Sequence, residues 1–198
     1  GTLPKFNENT LLYGVRLGLA VGSAITYENQ FARKNYFYAD LPKGYQITQD
    51  KTPLCTRGKI TIKFGDGTKD IGITRIHMEE DSGKSIHDLD PFHTLIDLNR
   101  AGVPLLEIVS EPDIRSAQEA YEYLTEVRQL VRYLEICDGN MEEGSMRCDA
   151  NVSVRLKGAK KFGERTETKN LNSIRNVYRA IEFEAKRQVE VLEAGGKI

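Results

Sequence analysis

At 198 residues with a formal net charge of −1, the chain is long enough to bury a sizeable core. It lacks the global basic field that drives indiscriminate nucleic-acid binding, so any RNA contact must be local. Charged residues make up 29% and hydrophobic residues 39%, and no apolar run approaches the roughly 18 residues that mark a membrane span, which fits a soluble protein with no membrane partner.

The opening stretch GTLPKFNENT has neither an initiator methionine nor a basic-then-apolar leader, so it reads as a mature end or as a piece of a longer chain. Asn9 or Thr10 is placed to cap a short helix with Leu12, Val15 and Leu19 on one face, loosened by Gly14 and Gly18. Residues 31–50, FARKNYFYADLPKGYQITQD, break every periodic pattern and carry tyrosines, a proline and lysines, the composition of a long surface loop of the kind that often carries function. KITIKF and KDIGITRIHM flank GDGT, and their apolar alternation around Asp66–Gly67 predicts a β-hairpin. The second strand of that hairpin ends in Glu79, Glu80 and Asp81. TLIDL and PLLEIVS, separated by the breaker NRAGV, read as a second hairpin.

Residues 116–135 carry the clearest helical pattern. Ser116 and Glu119 form an S-x-x-E capping box, and Ala120, Leu124, Val127, Val131 and Leu134 share one face. In SMRCDANVSVRL, Met146, Cys148, Ala150, Val152 and Val154 point one way and Arg147, Asp149, Asn151, Ser153 and Arg155 the other. ERTETKN extends this theme as a second charged strand. A long helix then runs from about Ser173 to Ala194, with Ile174, Val177, Tyr178, Ile181 and Ala185 inward and Gly195–Gly196 as its stop. With no internal repeat or linker tract, the predicted architecture is one α+β domain, residues 1–198, of antiparallel sheet backed by helices.

Cys55, Cys137 and Cys148 contain no C-x-x-C pair, which supports neither a disulfide framework nor a zinc knuckle and fits a reducing compartment. Glu80 and Glu107 lie near the ends of predicted strands, and carboxylates delivered by neighbouring strands suit Mg²⁺, a hard cation that wants oxygen ligands. Glu142 and Glu143 are placed to add to the same negative site. Arg75, Lys84, Arg147 and Lys169 lie within or beside these strands, and cations interleaved with metal-binding acids are what a nucleoside triphosphate needs during phosphoryl transfer. The competing reading is a solvated face of weak cross-strand pairs, and spacing alone does not decide between the two. His77, His87 and His93 lack the spacing of a zinc-protease helix and read as surface or supporting residues. The tyrosines of residues 36–45 suit either RNA stacking or packing against the domain. Neither a P-loop nor a G-x-G-x-x-G stretch is present, so ATP, if it binds, binds in another kind of fold.

Five ordered segments carry a resemblance that spacing alone does not supply. KNYFYADLPKGYQITQ, GITRIHMEEDSGKSIHD, DLNRAGVPLLEIVSEPDIRSAQEA, DGNMEEGSMRCDANVSVR and TKNLNSIRNVYRAIEFEAKRQ together resemble the B-subunit family of tRNA-dependent amidotransferases, over nearly the whole chain. The resemblance implies a glutamine synthetase-like cradle domain in which ATP and Mg²⁺ serve to phosphorylate the side-chain carboxylate of misacylated Glu-tRNA(Gln) or Asp-tRNA(Asn). Ammonia from the amidase (A) component then displaces phosphate, in a heterotrimer completed by a small (C) component, in a bacterial cytoplasm or an organelle matrix. Carried over by position, Glu80 and Glu107 fall on metal-binding acids. Arg75, His77, Arg147, Asp149, Asn151 and Lys169 fall on cleft positions of catalytic type, and Lys34, Tyr36, Glu143 and Asn170 on positions that bind ATP or the tRNA acceptor end. Arg147 and Lys169 are the candidates for phosphate contacts, and Glu79 and Asp81 stand beside the metal ligand Glu80 without ligating. Family members begin with a strand carrying a further Glu and His, often followed by a zinc knuckle, and continue into helical and tail domains that grip the tRNA elbow. This chain has neither, so the resemblance implies a central catalytic piece inactive by itself. Two other functions remain open, a ligase that phosphorylates a free small carboxylate and a non-catalytic RNA-binding or assembly module.

Overall fold

The computed structural model describes residues 3–198. Gly1 and Thr2, at the start of the stretch read as a mature or excised end, lie outside the described residues. The elements in chain order are α1 (Glu8–Ala20), β1 (Ala24–Ile25), β2 (Ala32–Asn35), β3 (Tyr45–Thr48), β4 (Cys55–Thr56), β5 (Lys59–Phe64), β6 (Gly67–Glu80), β7 (Lys84–Ile86), β8 (Leu95–Asp97), β9 (Pro104–Ser110), α2 (Ala117–Tyr133), β10 (Cys148–Val152), β11 (Thr166–Leu171) and α3 (Ile174–Glu193). This is an α+β fold with antiparallel strand pairing, the class expected from the pattern. Contacts group the chain into two compact units, residues 1–59 with 72–112 and residues 60–71 with 113–198.

In the first unit β1 pairs with β4, β4 with β6 and β6 with β9. Asn7, not Asn9 or Thr10, caps α1, its side chain accepting from the Asn9 N–H at 3.0 Å. The buried face of α1 also differs from the expected one: Leu12 and Leu19 are exposed, while Thr10, Gly14, Leu17 and Gly18 are buried. The glycines are the reason. A Cβ on Gly14 would collide with Leu54 and one on Gly18 with Cys55 and Ile25, so i, i+4 glycines let the helix backbone lie directly on the sheet.

Residues 31–50 are not a plain loop. β2 and β3 pair from Ala32↔Thr48 to Asn35↔Tyr45 and form a short polar hairpin, whose lack of apolar alternation hid it from periodicity. The predicted second hairpin is re-paired as well: β8 joins β7, and β9 joins β6. Buried Gln49 ties the unit together, its Oε1 accepting from the Leu54 and Met78 N–H groups at 3.0 Å each and its Nε2 donating to Asn29 Oδ1 at 2.8 Å.

The second unit holds the predicted β5–β6 hairpin, turned by Gly65 and Asp66, with Gly65 at φ +57 supplying the left-handed backbone. In α2 the Ser116 hydroxyl accepts from the Glu119 N–H at 3.1 Å. The reciprocal half of the capping box is altered, because Glu119 Oε2 accepts from the Arg115 N–H at 2.8 Å and from Lys69 at 2.6 Å. α3 begins at Ser173, as its cap predicts, and presents Val177 to the core together with two polar residues the apolar pattern omitted, Glu184 and Gln188. Gln188 donates to the Val152 carbonyl and to Thr166 Oγ1, both at 2.9 Å, locking α3 onto β10 and β11.

Glu184 accepts from Arg187 at 2.7 and 2.8 Å, from Thr166 at 2.7 Å and from Gln188 at 3.0 Å. The hydrogen bonds from Arg187, then Thr166 and Gln188, pull its carboxyl from the ordinary 4.5 down to about 2 against the opposing effect of burial. A depressed folded-state value means that Glu184 stabilises the fold fully above the unfolded value and loses that contribution as pH falls from about 4.5 through about 2. Thermal melts should therefore show a steeper fall in Tm between pH 5 and 2 for the wild type than for Glu184→Gln, which lacks the titrating group. Parallel slopes would exclude this linkage.

Candidate functional site

The site grows from a single irregularity in β6. Its register with β9 runs Ile73↔Ser110, then Arg75↔Val109, Ile76↔Ile108 and His77↔Glu107, so Thr74 is an extra residue on the β6 side. A bulge of this kind reverses which face each later residue occupies. Ile73 is buried before it; after it Ile76, Met78 and Glu80 take the core face, and Arg75, His77 and Glu79 take the other. Thr74 is held there by its hydroxyl on Glu111 at 2.8 Å and by the Arg57 N–H donating to its carbonyl at 3.2 Å.

On the Arg75 face three side chains converge. His77 Nε2 lies 2.6 Å from a Glu107 oxygen and 3.7 Å from a Glu79 oxygen. One ligand atom from each residue lies within 4.8 Å of the others, a grouping able to hold a metal ion. His77 is buried whereas the Glu107 side chain is 51% exposed, so the cluster opens to solvent on its carboxylate side. Burial works against charging the imidazole, yet Glu107 and then Glu79 outweigh it and push the ring up to about 9. The hydrogen bond from His77 holds the Glu107 carboxyl below its ordinary range, opposed by burial and helped by the charges of Arg75 and Lys34.

Arg75 Nε lies 3.3 Å from His77 Nδ1, a hydrogen bond that only the neutral ring accepts; the imidazolium that Glu107 and Glu79 favour below about pH 9 gives it up and keeps its Nε2 proton on Glu107. In either protonation state Nε2 carries a proton facing Glu107. A hard divalent cation there would meet an N–H on the ring but lone pairs on the acids. The part of the cluster chemically suited to Mg²⁺ is thus the oxygen pair Glu79 and Glu107, with His77 orienting Glu107.

The three adjacent acids part company. Glu79 joins His77, and Asp81 lies 3.4 Å from Arg100. Glu80, expected beside Glu107 as a metal ligand, occupies the core face. Its carboxylate accepts from Lys43 and, at 2.7 Å, from the Ile47 N–H, while its carbonyl accepts from Gln46 at 2.6 Å. Glu80 therefore anchors the β2–β3 hairpin. Lys34 and Tyr36, expected at a ligand-binding surface, belong to the same unit as the cluster. Lys34 sits 5.8 Å from the Tyr36 ring centroid, and burial, then Asp40, Glu79, Glu80 and Asp81, raises the Tyr36 hydroxyl above its ordinary pKa.

The other expected site residues belong to the second unit. Lys169 lies 3.5 Å from both Asp149 and Glu167, with Asp149 and Asn151 exposed on β10. The β10–β11 register slips between Cys148 and Ala150, and Asn170 there adopts φ +60. The Glu143 N–H donates to Asn140 Oδ1 at 3.2 Å, and Arg147 is exposed. Among the expected residues, then, Arg75, His77, Glu107, Lys34 and Tyr36 form one group and Asp149 and Lys169 another. Spacing alone read Glu79 as a neighbour of Glu80 and His77 as a surface or supporting residue, while the family resemblance put His77 on a catalytic-type position; strict alternation cannot register the bulge that turns both side chains toward Glu107.

A family model described as "GatB/GatE catalytic domain" matches residues 1–197. Proteins named as the B subunit of an aspartyl/glutamyl-tRNA(Asn/Gln) amidotransferase align over the full chain, at 60% identity in Thioalkalivibrio sulfidiphilus, 58% in Chlorobium limicola and 57% in Nitratidesulfovibrio vulgaris. The chain spans 42% of the length of each of these curated relatives.

The geometry separates Glu79 from Glu80 experimentally. With Mn²⁺ as a spectroscopic stand-in, Glu79→Gln should weaken binding roughly 10-fold or more, whereas Glu80→Gln should bind Mn²⁺ as the wild type does. Glu80→Gln should instead lose about 1–3 kcal/mol in urea denaturation, because Lys43 keeps its charge without its partner. The reverse pattern would return Glu80 to the metal.

Proposed function

The chain belongs to the GatB/GatE catalytic domain family, and from that premise we propose that it activates a carboxylate within a tRNA-dependent amidotransferase. The carboxylate is the side chain of misacylated Glu-tRNA(Gln) or Asp-tRNA(Asn), and ATP is the phosphoryl donor. A carboxylate oxygen attacks the γ-phosphorus, the bond to the β-bridging oxygen breaks, and ADP leaves the acyl phosphate behind. Ammonia then adds to the acyl carbon, loses a proton to solvent as the amide forms, and inorganic phosphate departs. The names of the curated relatives support this reading, and a glutaminase partner would supply the ammonia.

The observation that carries the proposal is the convergence of His77, Glu79 and Glu107 beside Arg75. Glu79 and Glu107 would hold Mg²⁺, which offsets phosphate charge when bound. His77 fixes the Glu107 carboxylate from a buried position, so that one oxygen is already oriented. Arg75 and Lys34 add positive charge beside Glu107. Such preorganised charge costs no rearrangement as the phosphoryl group moves.

In the full-length protein assembled with its partner subunits, Glu107→Gln should lower Glu-tRNA(Gln)-stimulated ATP hydrolysis by roughly 100-fold or more. Binding of the same tRNA and glutaminase activity, followed side by side, should remain. Unchanged ATP turnover would place phosphoryl transfer elsewhere, and equal stimulation by free glutamate would favour a small-molecule ligase.

A further inference from the structure

We infer that the loop of residues 155–165 is a docking surface for the phosphodiester backbone of RNA, an inference that rests on the proposed RNA-linked substrate. The loop reads RLKGAKKFGER and joins β10 to β11. Arg155, Lys157, Lys160, Lys161 and Arg165 face a single acid, Glu164, in a chain whose formal net charge is −1. All eleven residues are exposed. Among the described residues, Lys157, Lys160, Lys161 and Arg165 have no ion-pair partner, a property shared by isolated lysines such as Lys51, Lys63 and Lys84; the loop differs in gathering four such cations within residues 157–165. Positive charge that folding leaves uncompensated is concentrated here.

The loop is also built, which separates it from a solvated charge run. Arg155 stacks over the Phe162 ring at 4.4 Å and donates to the Lys160 carbonyl at 2.9 Å, closing the loop across its base. The Ala159 N–H donates to the Leu156 carbonyl at 3.0 Å in a turn that places Gly158 at φ +88. Gly163 lies so close to the Val154 carbonyl that any Cβ would collide with it. Arg155 is thus spent on holding the loop's shape, and the three lysines project from a tip whose backbone is already ordered, which lowers the entropy lost on binding.

The chemistry selects the partner. Lysine ammonium groups are point charges without a planar fork, so they suit phosphate oxygens and read no base edges. A membrane surface would call for an apolar face to insert, and the loop offers only Leu156 and a Phe162 ring already covered on one side by Arg155. The loop therefore positions RNA without selecting its sequence.

The test uses the full-length protein in its assembled complex and unacylated tRNA transcripts, with binding measured across about 50–200 mM salt. Replacing Lys157, Lys160 and Lys161 together by alanine should make the slope of log K against log salt shallower by about 2–3. It should also weaken binding roughly 10-fold or more at the low-salt end. The loss should be the same for a cognate and a non-cognate tRNA, and the triple Lys→Arg variant should restore the slope. An unchanged slope in an alanine variant that melts like the wild type overturns the inference and leaves the proposed function standing. An alanine variant that melts like the wild type but fails to assemble also overturns it, and identifies a protein contact. A wild-type complex that binds no tRNA overturns both this inference and the proposed function.

Discussion

The candidate site depends on one extra residue. Thr74 interrupts the ladder between β6 and β9, and everything downstream on β6 exchanges faces. Without that slip, strict alternation from Ile73 would send Arg75, His77 and Glu79 toward the core and leave Ile76 and Met78 facing out, exposing two side chains that are in fact 0% and 1% exposed. The burial of Ile76 and Met78 and the convergence of the cluster are therefore consequences of the same register shift. Bulges next to functional sites commonly re-aim side chains in this way. Here the Thr74–Glu111 and Arg57–Thr74 hydrogen bonds hold it in place.

Alternation along β6 also explains how three consecutive acids coexist. Left together, Glu79, Glu80 and Asp81 would repel one another. The strand turns them apart and gives each a different cationic neighbour: His77 for Glu79, Lys43 for Glu80 and Arg100 for Asp81. Their duties divide with their burial. Glu80 and Asp81 lie inside and fasten the β2–β3 hairpin and the 98–103 turn, the latter through backbone hydrogen bonds of Asp81 with Val103 and Gly102. Glu79 remains beside the half-exposed Glu107, where a ligand can reach it. The same acid-rich stretch thus gives buried carboxylates to the packing and one, Glu79, to the cluster with His77 and Glu107.

The second unit uses polar groups differently. Gln188 is fully buried and spends its amide donor on the sheet, while Glu184 gathers Arg187, Thr166 and Gln188 around one carboxylate. This network fixes the helix against a short two-stranded ladder that has little apolar area to offer. The ladder carries its own register slip, where Lys169 and Asn170 oppose Asp149 and Asn170 takes the left-handed backbone. The basic loop that closes the ladder follows a third arrangement, in which one arginine is consumed in shaping the turn and the lysines are left free of acids.

Local rules decided a good deal from the sequence alone. Alternation and turn residues determined the β5–β6 hairpin, serine caps with 3.6-residue periodicity determined α2 and α3, and five ordered segments determined the family. These features depend on neighbours a few residues apart, which is the range over which propensity and periodicity act. The basic run of residues 155–165 was also open to reading, since charge content is compositional. What only the tertiary structure decided was which strand pairs with which, and in what register. β9 chose β6 over β8, the β2–β3 hairpin formed without apolar alternation, and Gly14 and Gly18 became a packing face because Leu54 and Cys55 press against them. The assignment of Glu79 to the cluster and Glu80 to the core falls in the same class. It turns on a single inserted residue whose position is set by contacts between β6, β9 and Arg57, far apart in the chain, and a pattern of period two carries no record of where such a residue lies.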